Sequence, residues 1–415
     1  MTAQTEQERS PNEAEVDFFP WDEDEEVSQL KELIGDRELD LIKVGTSGYM
    51  VVRRNQENPD IVAEAPWVLF DFDDTAARTT YDKTERCWAS LEEMGLPEDL
   101  VKFCDKICRV DFGEAGKLYQ PELEMRLVTL ALQLKIEGQD QETIESRLGN
   151  AITEMIRTKN LSDFVVLDEI RDLYKKTRYT STLYPDTLGT LKRLHNPGKR
   201  PINIAFLTHG DPYFQLSKTI TLMDQSPEVS AIFLTKTKKG KFFSELVELN
   251  PFKDVPIRYS YDETERDEGI LFQKWQVMVT LCDDDPNQIE SINKCAQDLG
   301  MAGLGAVRVR RSGAKRADTP LSVIPEGSAE IITSDTLMDT DIFEAAFKEL
   351  QTRILEKFVI KALKNHFYQS MLGDLDFKRM VQTISENRGR DYDEELQILL
   401  ALADIEMRSL MIDED

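Results

Sequence analysis

The spacing of apolar positions changes several times along this chain, and each change marks a new structural block. Residues 1–27 carry few apolar positions, two prolines (Pro11 and Pro20), and ten acids against Arg9 alone. Such a stretch buries too little apolar surface to offset chain entropy, so a disordered acidic tail is predicted. Phe18, Phe19 and Trp21 are the exception, and could dock a partner or pack only loosely. Within a following extension, 28–61, the segment LDLIKVGTSGYMVVR (39–53) alternates apolar and polar residues around Thr46, Ser47 and Gly48. That pattern predicts a β-hairpin at the edge of, or over, a larger sheet.

Val68, Leu69 and Phe70 form a continuous apolar run, as expected of a fully buried strand. Helical spacing then takes over in CWASLEEMGL, EDLVKFCDKICRV, PELEMRLVTLALQLKIEG and QETIESRLGNAITEMIR, predicting an all-helical insert over 76–182. Strand-like runs return as INIAFLT (202–208), AIFLT (231–235), PIRYSY (256–261), VMVTLC (277–282) and GAVRVRR (305–311). SELVELN and QIESINKCAQDLG lie between them as helices. Strands alternating with helices predict an α/β fold, a Rossmann-like parallel sheet with helices on both faces, built from 62–75 and 183–334. Residues 335–415 show helical spacing alone and are expected to form a C-terminal extension packed on the sheet or on another subunit.

Composition narrows the function classes. The 415 residues carry 78 acids against 51 bases, a net charge of −27, which opposes nonspecific attraction to nucleic acid or anionic lipid. No apolar stretch reaches the roughly 18 residues of a membrane span, and the first residues lack a basic and apolar leader. A soluble cytoplasmic protein is expected. Its five cysteines, Cys87, Cys104, Cys108, Cys282 and Cys295, lack CxxC spacing and read as reduced, mostly buried thiols.

The chemistry concentrates where the first buried strand stops, at Asp71, Asp73, Asp74 and Thr75. Open α/β sheets bind ligands at the carboxyl ends of their strands. Two carboxylates one residue apart can divide labour there, Asp71 attacking an electrophile while Asp73 donates and then accepts protons. So dense an anionic pocket calls for a hard cation such as Mg²⁺, and the implied substrate is a phosphate ester. A plain strand-ending turn is the competing account of the same aspartates. Three later features also sit at strand ends. Thr208, followed by His209 and Gly210, offers a hydroxyl and a turn able to face an anion. Asp283, Asp284 and Asp285 precede a helix near Pro286 and could complete a metal site. KTKKGK (236–241) supplies lysines that could neutralise the attacking carboxylate and a phosphate.

With these residues in this order, the chain resembles the haloacid dehalogenase superfamily of phosphohydrolases. DFDDT (71–75) is similar to its DxDxT motif, Thr208 to the second, a lysine to the third, and Asp283 with Asp284 to the fourth. LYPDTLGTLKRL (183–194) resembles the segment leading back from a helical cap, and the likeness spans about residues 62–318. It implies Asp71 as nucleophile, Asp73 as general acid and base, and Thr75, Thr208 and His209 around the phosphate. Mg²⁺ would be held by Asp71, the Asp73 carbonyl, and Asp283 or Asp284. Lys241 fits the third motif best, with Lys239 and Lys274 as alternatives.

The reading is a Mg²⁺-dependent phosphatase of a small phosphorylated metabolite, with the insert as a cap that selects the leaving group. A sugar phosphate, phosphoglycolate and a nucleoside monophosphate all remain open. A phosphomutase and a non-catalytic scaffold, binding a partner or itself through its tail and C-terminal helices, are the rivals. His195 and His366 read as surface positions. Arg308, Arg310, Arg311, Lys315 and Arg316 form one basic patch, read as a solvated strand end.

Overall fold

A computed structural model describes residues 23–54, 66–111, 117–158, 161, 163–195, 202–248, 255–256, 275–276, 279–299, 304–311, 331–334, 336–337, 341–364 and 375–412. Helix α1 (Glu23–Ile34) opens the described chain, so residues 23–27 belong to a helix and not to the tail. The reason is local. Leu30 and Ile34 enter the core, and the buried Glu26 carboxylate accepts hydrogen bonds from Tyr49 Oη (2.8 Å) and Lys236 Nζ (2.7 Å). Phe18, Phe19 and Trp21 lie outside the described residues.

Among the described residues the main sheet has eight strands. In chain order these are β1 (Leu39–Val44), β2 (Gly48–Arg53), β3 (Trp67–Phe70), β6 (Asn203–His209), β7 (Val229–Thr235), β10 (Val279–Asp283), β11 (Gly305–Val309) and β12 (Ile331–Ser334). Their spatial order is β1-β2-β7-β6-β3-β10-β11-β12. From β7 to β12 all neighbours are parallel, while the β1–β2 hairpin joins the edge antiparallel to β7. Numbering only the parallel strands by sequence gives the doubly wound order 3-2-1-4-5-6, with its reversal between β3 and β10. Side chains alternate between two helix layers. Val68, Phe70, Ile204 and Phe206 share a cluster with Phe343, Leu350 and Ile354 of helix α12 (Asp341–Lys364). Trp67, Leu69, Ala205 and Leu207 share another with Phe242 of α10 (Lys239–Glu248) and Ile289 of α11 (Pro286–Asp298).

Between β3 and β6 the chain builds a region with its own hydrophobic cluster, centred on Leu100, Leu127, Leu148 and Tyr174. Its helices are α2 (Thr79–Tyr81), a π-helix (Asp82–Trp88), α3 (Ala89–Glu93), α4 (Glu98–Ile107), α5 (Pro121–Ile136), α6 (Gln141–Thr158) and α7 (Asp168–Thr177). It is not all helix. β4 (Arg109–Asp111) and β5 (Lys117–Tyr119) pair antiparallel, and the helix predicted through EDLVKFCDKICRV stops at Ile107, short of Arg109 and Val110. Helix α8 (Thr187–Leu194) returns the chain to the sheet, and α9 (Pro212–Gln225) follows β6. Of PIRYSY, only Pro256 is described, in the two-residue β8 (Val255–Pro256) that pairs with β9 (Trp275–Gln276). Helices α13 (Leu375–Arg388) and α14 (Tyr392–Ile412) pack with α12 on the sheet. All five cysteines are free, four of them buried. Among the described residues, no helix is long and apolar enough to cross a membrane.

Candidate active site

The reversal of strand order opens a crevice at the carboxyl ends of β3 and β10. The β3–β10 ladder runs one step beyond the strand, because Asp71 N donates to the Cys282 carbonyl at 2.7 Å. This fixes the Asp71 backbone beside Asp283. Asp71, Asp283 and Asp284 are all buried, and one carboxylate oxygen from each lies within 4.8 Å of the others. Buried like charges this close need cations. Lys239 Nζ is one, 2.5 Å from Asp71 Oδ1 and 2.7 Å from Asp283 Oδ2. Burial pushes the Asp71 carboxyl well above its ordinary range; Lys239 opposes the shift, and Asp283, Asp284 and Asp73 add to it. Burial alone would lower the Lys239 ammonium, but Asp283 and Asp71 more than offset this and raise it. Asp283 Oδ1 also accepts from Asp285 N (2.9 Å), and Asp285 caps α11 through Asn287 N.

After Asp71 the backbone makes a tight turn. Asp74 sits at φ 58°, a left-handed conformation that aspartate tolerates better than most side chains. Its carboxylate accepts from Thr79 Oγ1 (3.2 Å) and Thr80 N (2.9 Å), so it ties the turn to the start of the insert. Asp73 points the other way, into a 2.6 Å ion pair with Lys218 Nζ and a 3.4 Å contact from Gln215 Nε2. Gln215 Nε2 also donates to the His209 carbonyl (3.0 Å), and its Oε1 accepts from Thr208 Oγ1 (2.8 Å). Thr208 is therefore linked to Asp73 through Gln215. Thr75 Oγ1 is buried and, among the described residues, has no hydrogen-bond partner.

Some expected residues fall elsewhere. Lys241 is exposed on α10, so Lys239 and not Lys241 reaches Asp71; Lys274 lies outside the described residues. The clustered carboxylates are those of Asp71, Asp283 and Asp284, and the Asp73 side chain is turned instead to Lys218, leaving its backbone carbonyl as the group expected to face a metal. His209 is exposed but lines the cavity described below; His195 is exposed, and His366 is not described. The basic patch is not a solvated strand end, since Arg308 and Arg311 are buried and only Arg310 is exposed. Arg311 forms a two-pronged pair with Asp186 (2.7 and 3.0 Å) and donates from Nε to the Thr75 carbonyl at 3.0 Å. Lys315 and Arg316 are not described.

Gln215 and Lys218 were missed by sequence reasoning. A signal existed: Asp211 caps α9, accepting from Phe214 N at 2.8 Å. Positions three or four residues apart share a helix face, so Asp211, Gln215 and Lys218 line the side turned to the end of β6. The Asp211 carboxyl is pushed up to about 6 by burial, against the lowering effect of its Phe214 hydrogen bond.

A cavity of about 240 Å³ lies between the insert and this strand end. Asp73, Gln215 and Lys218 form its floor, with Lys83, Arg109, Tyr119 and Arg178 reaching in from the insert. Asp82 holds the two insert connections together, accepting from Thr182 N (2.7 Å), Thr182 Oγ1 (2.8 Å) and Arg86 Nη1 (2.8 Å).

No protein-family model and no curated protein matches the chain. Solved structures do. The HAD-hydrolase YfnB from Bacillus subtilis, bound to magnesium, is 13% identical, with 68% of this chain and 99% of that chain covered, at TM-score 0.37. A 2-haloacid dehalogenase from Pseudomonas syringae is 13% identical over 68% and 98% of the two chains, at TM-score 0.35. The L-2-haloacid dehalogenase from Xanthobacter autotrophicus is 11% identical over 66% and 96%, at TM-score 0.30. These are structures of the superfamily to which the motif resemblance points. Likeness this distant carries no argument, and the doubly wound α/β fold rests on the chain's own strand order.

Proposed function

We propose that this chain is a Mg²⁺-dependent phosphomonoesterase working through an aspartyl-phosphate. The observation that carries the reading is Lys239 bridging Asp71 and Asp283 at the β3–β10 crevice, with Asp73 two residues on. Three buried carboxylates within 4.8 Å are the oxygen donor set of a hard cation, so Asp71, Asp283 and Asp284 fit Mg²⁺. Bound there, the ion supplies charge neutralisation for the phosphoryl oxygens.

The protein's own residues perform the transfer. An Asp71 carboxylate oxygen attacks phosphorus, and the P–O bond to the leaving group breaks. The leaving oxygen takes its proton from Asp73, which then takes one from the water that cleaves the aspartyl-phosphate. Lys239 offsets the charge on Asp71 and on the incoming phosphoryl group. Thr75 brings an uncommitted buried hydroxyl to the same turn, and Thr208 with Gln215 positions Asp73. The insert over the cavity excludes bulk water from the reacting atoms.

Hydrolysis of p-nitrophenyl phosphate tests the reading. Wild-type protein is expected to release nitrophenol with Mg²⁺ and to stop in EDTA. Asp71→Asn is expected to lose more than about a thousandfold in turnover. Wild-type activity that survives both EDTA and Asp71→Asn would sink the assignment.

A further inference from the structure

The cavity contains a cation with no role in the transfer above. Arg178 ends helix α7 and reaches between the insert and the sheet, its Cζ 4.7 Å from the Tyr119 ring centroid and 5.9 Å from that of Phe214. Its one hydrogen bond is from Nε to Tyr119 Oη, at 3.1 Å. Among the described residues, neither Nη1 nor Nη2 makes any hydrogen bond, and both belong to a side chain lining the cavity. A guanidinium is a two-pronged donor matched to carboxylate and phosphate, and this half-buried fork lines the cavity without a partner among the described residues.

The support behind Arg178 is built. Tyr119 Oη donates to the buried Glu124 carboxylate, which turns the phenol's lone pair toward Arg178 Nε. Other cations at the wall are already matched: Lys83 lies 2.5 Å from Asp105, Arg109 lies 3.6 Å from the same carboxylate, and Lys218 pairs with Asp73. Among the described residues lining the cavity, Arg178 is the cation with no carboxylate within ion-pair distance. Lys218 Nζ is 4.7 Å from the Phe214 centroid, so the Asp73–Lys218 pair and Arg178 flank one ring. A group held at Arg178 is thus carried on the leaving-group side of the reacting phosphoryl. The cavity volume, about 240 Å³, is below the roughly 300 Å³ at which pockets for drug-sized ligands begin, which favours a short substrate.

We propose that Arg178 forms a leaving-group subsite for a second anion, so that the substrate is a short-chain phosphomonoester bearing a carboxylate or a second phosphate. This deepens, and rests on, the phosphatase assignment. The test compares ethyl phosphate, phosphoglycolate and propane-1,3-diol bisphosphate, which share a short chain and differ in the distal group. Wild-type protein is expected to favour one of the two charged esters over ethyl phosphate by about tenfold or more in kcat/KM, the size of a charge-assisted hydrogen bond. Which one it favours identifies the anion. Arg178→Met is expected to lose most of that preference, falling far more on the charged ester than on ethyl phosphate. Arg178→Lys, which keeps the charge and stem but not the fork, is expected to recover part of it. Equal kcat/KM for all three esters in the wild type, or a uniform loss in Arg178→Met, overturns the subsite. If none is turned over, the phosphatase assignment fails separately, and calorimetric binding of the same esters decides. Tighter binding of a charged ester that is lost in Arg178→Met keeps the subsite, and equal binding removes it.

Discussion

Lys239 and Lys241 are two residues apart at the start of α10, and about 200° of helical rotation separates them. One enters a buried acidic crevice and the other faces water. Removing Lys239 leaves Asp71 and Asp283 without the cation that offsets them, a situation that typically costs 3 to 5 kcal/mol for a buried pair, about as much as many surface changes combined. Lys239→Met is therefore expected to lower Mg²⁺-dependent phosphatase activity by about a hundredfold or more. Its melting temperature should also fall, with Mg²⁺ recovering part of the loss. Lys241→Met should stay within about twofold of wild type, as surface substitutions usually do. Parallel assays and melts of the two variants check this, and an inactive Lys241→Met beside an active Lys239→Met would reverse the assignment. At this scale the sequence is uneven. Asp71, Asp73, Asp283 and Asp284 were legible because they cluster at the carboxyl ends of buried apolar strands. The lysine was not, since KTKKGK sets no helix phase until the fold shows that Lys239 and Phe242 turn inward. Lys218 and Gln215 act from a helix face, and become visible only once α9 is aligned against β6.

The hairpin added to the sheet edge does more than cover it. Ser47 at its turn accepts from Lys236 N at 2.8 Å, and Glu245 of α10 accepts from Thr46 N and Ser47 N, each at 3.0 Å. The loop and helix carrying Lys239 are thus held from the hairpin side, while Lys236 reaches Glu26 of α1. Gly48 permits this approach. A Cβ there would lie 1.9 Å from the Leu234 carbonyl oxygen of β7, a backbone atom that cannot step aside. Gly48→Ala is expected to cost about 2 kcal/mol or more through forced displacement of β2. Because the displacement reaches the Lys239 loop, activity should fall with stability in a urea titration followed by assay. Unchanged unfolding would show that the hairpin is only loosely attached. Period-two alternation made this hairpin readable from Leu39 to Arg53. The opposite held for β4 and β5: three-residue strands are too short to display a period, and they vanish into the helical spacing around them. Helix α1 was hidden differently, since acids before Glu26 outweigh Val27, Leu30 and Ile34 in any average over the segment.

The C-terminal helices are read from sequence as something attached to the sheet or to a second subunit, but α12 is one of the layers the sheet needs. Phe343 lies 5.5 Å, centroid to centroid, from Phe70, the residue before Asp71, and is fully buried in the same cluster as Phe206 and Val307. A doubly wound sheet must cover both faces, and on this one α12 is continuous with α1, α8 and α9. A second tie runs through polar groups. Asp186 accepts from Arg311, from Thr336 Oγ1 (2.8 Å) and from Leu337 N (2.8 Å), while Arg311 also donates to the Thr75 carbonyl. The segment entering α12 is thereby linked to the turn that carries Asp73 and Thr75. Sequence could not show this, because an amphipathic helix reveals that it has an apolar face and not which surface covers that face. Truncation after residue 335 tests the point. If the helices were an accessory for partners, the shortened chain would stay in solution, unfold cooperatively and keep its phosphatase activity. If α12 closes the sheet, the shortened chain exposes the β3 face around Phe70 and should collect in the insoluble fraction or bind a hydrophobic dye without a cooperative melt. Phe343→Ala in the full chain gives the graded version. It should lose about 3 to 5 kcal/mol in denaturant unfolding, as for a buried phenylalanine in a cooperative core. A loss below about 1 kcal/mol, typical of a surface change, would return the extension to the accessory role.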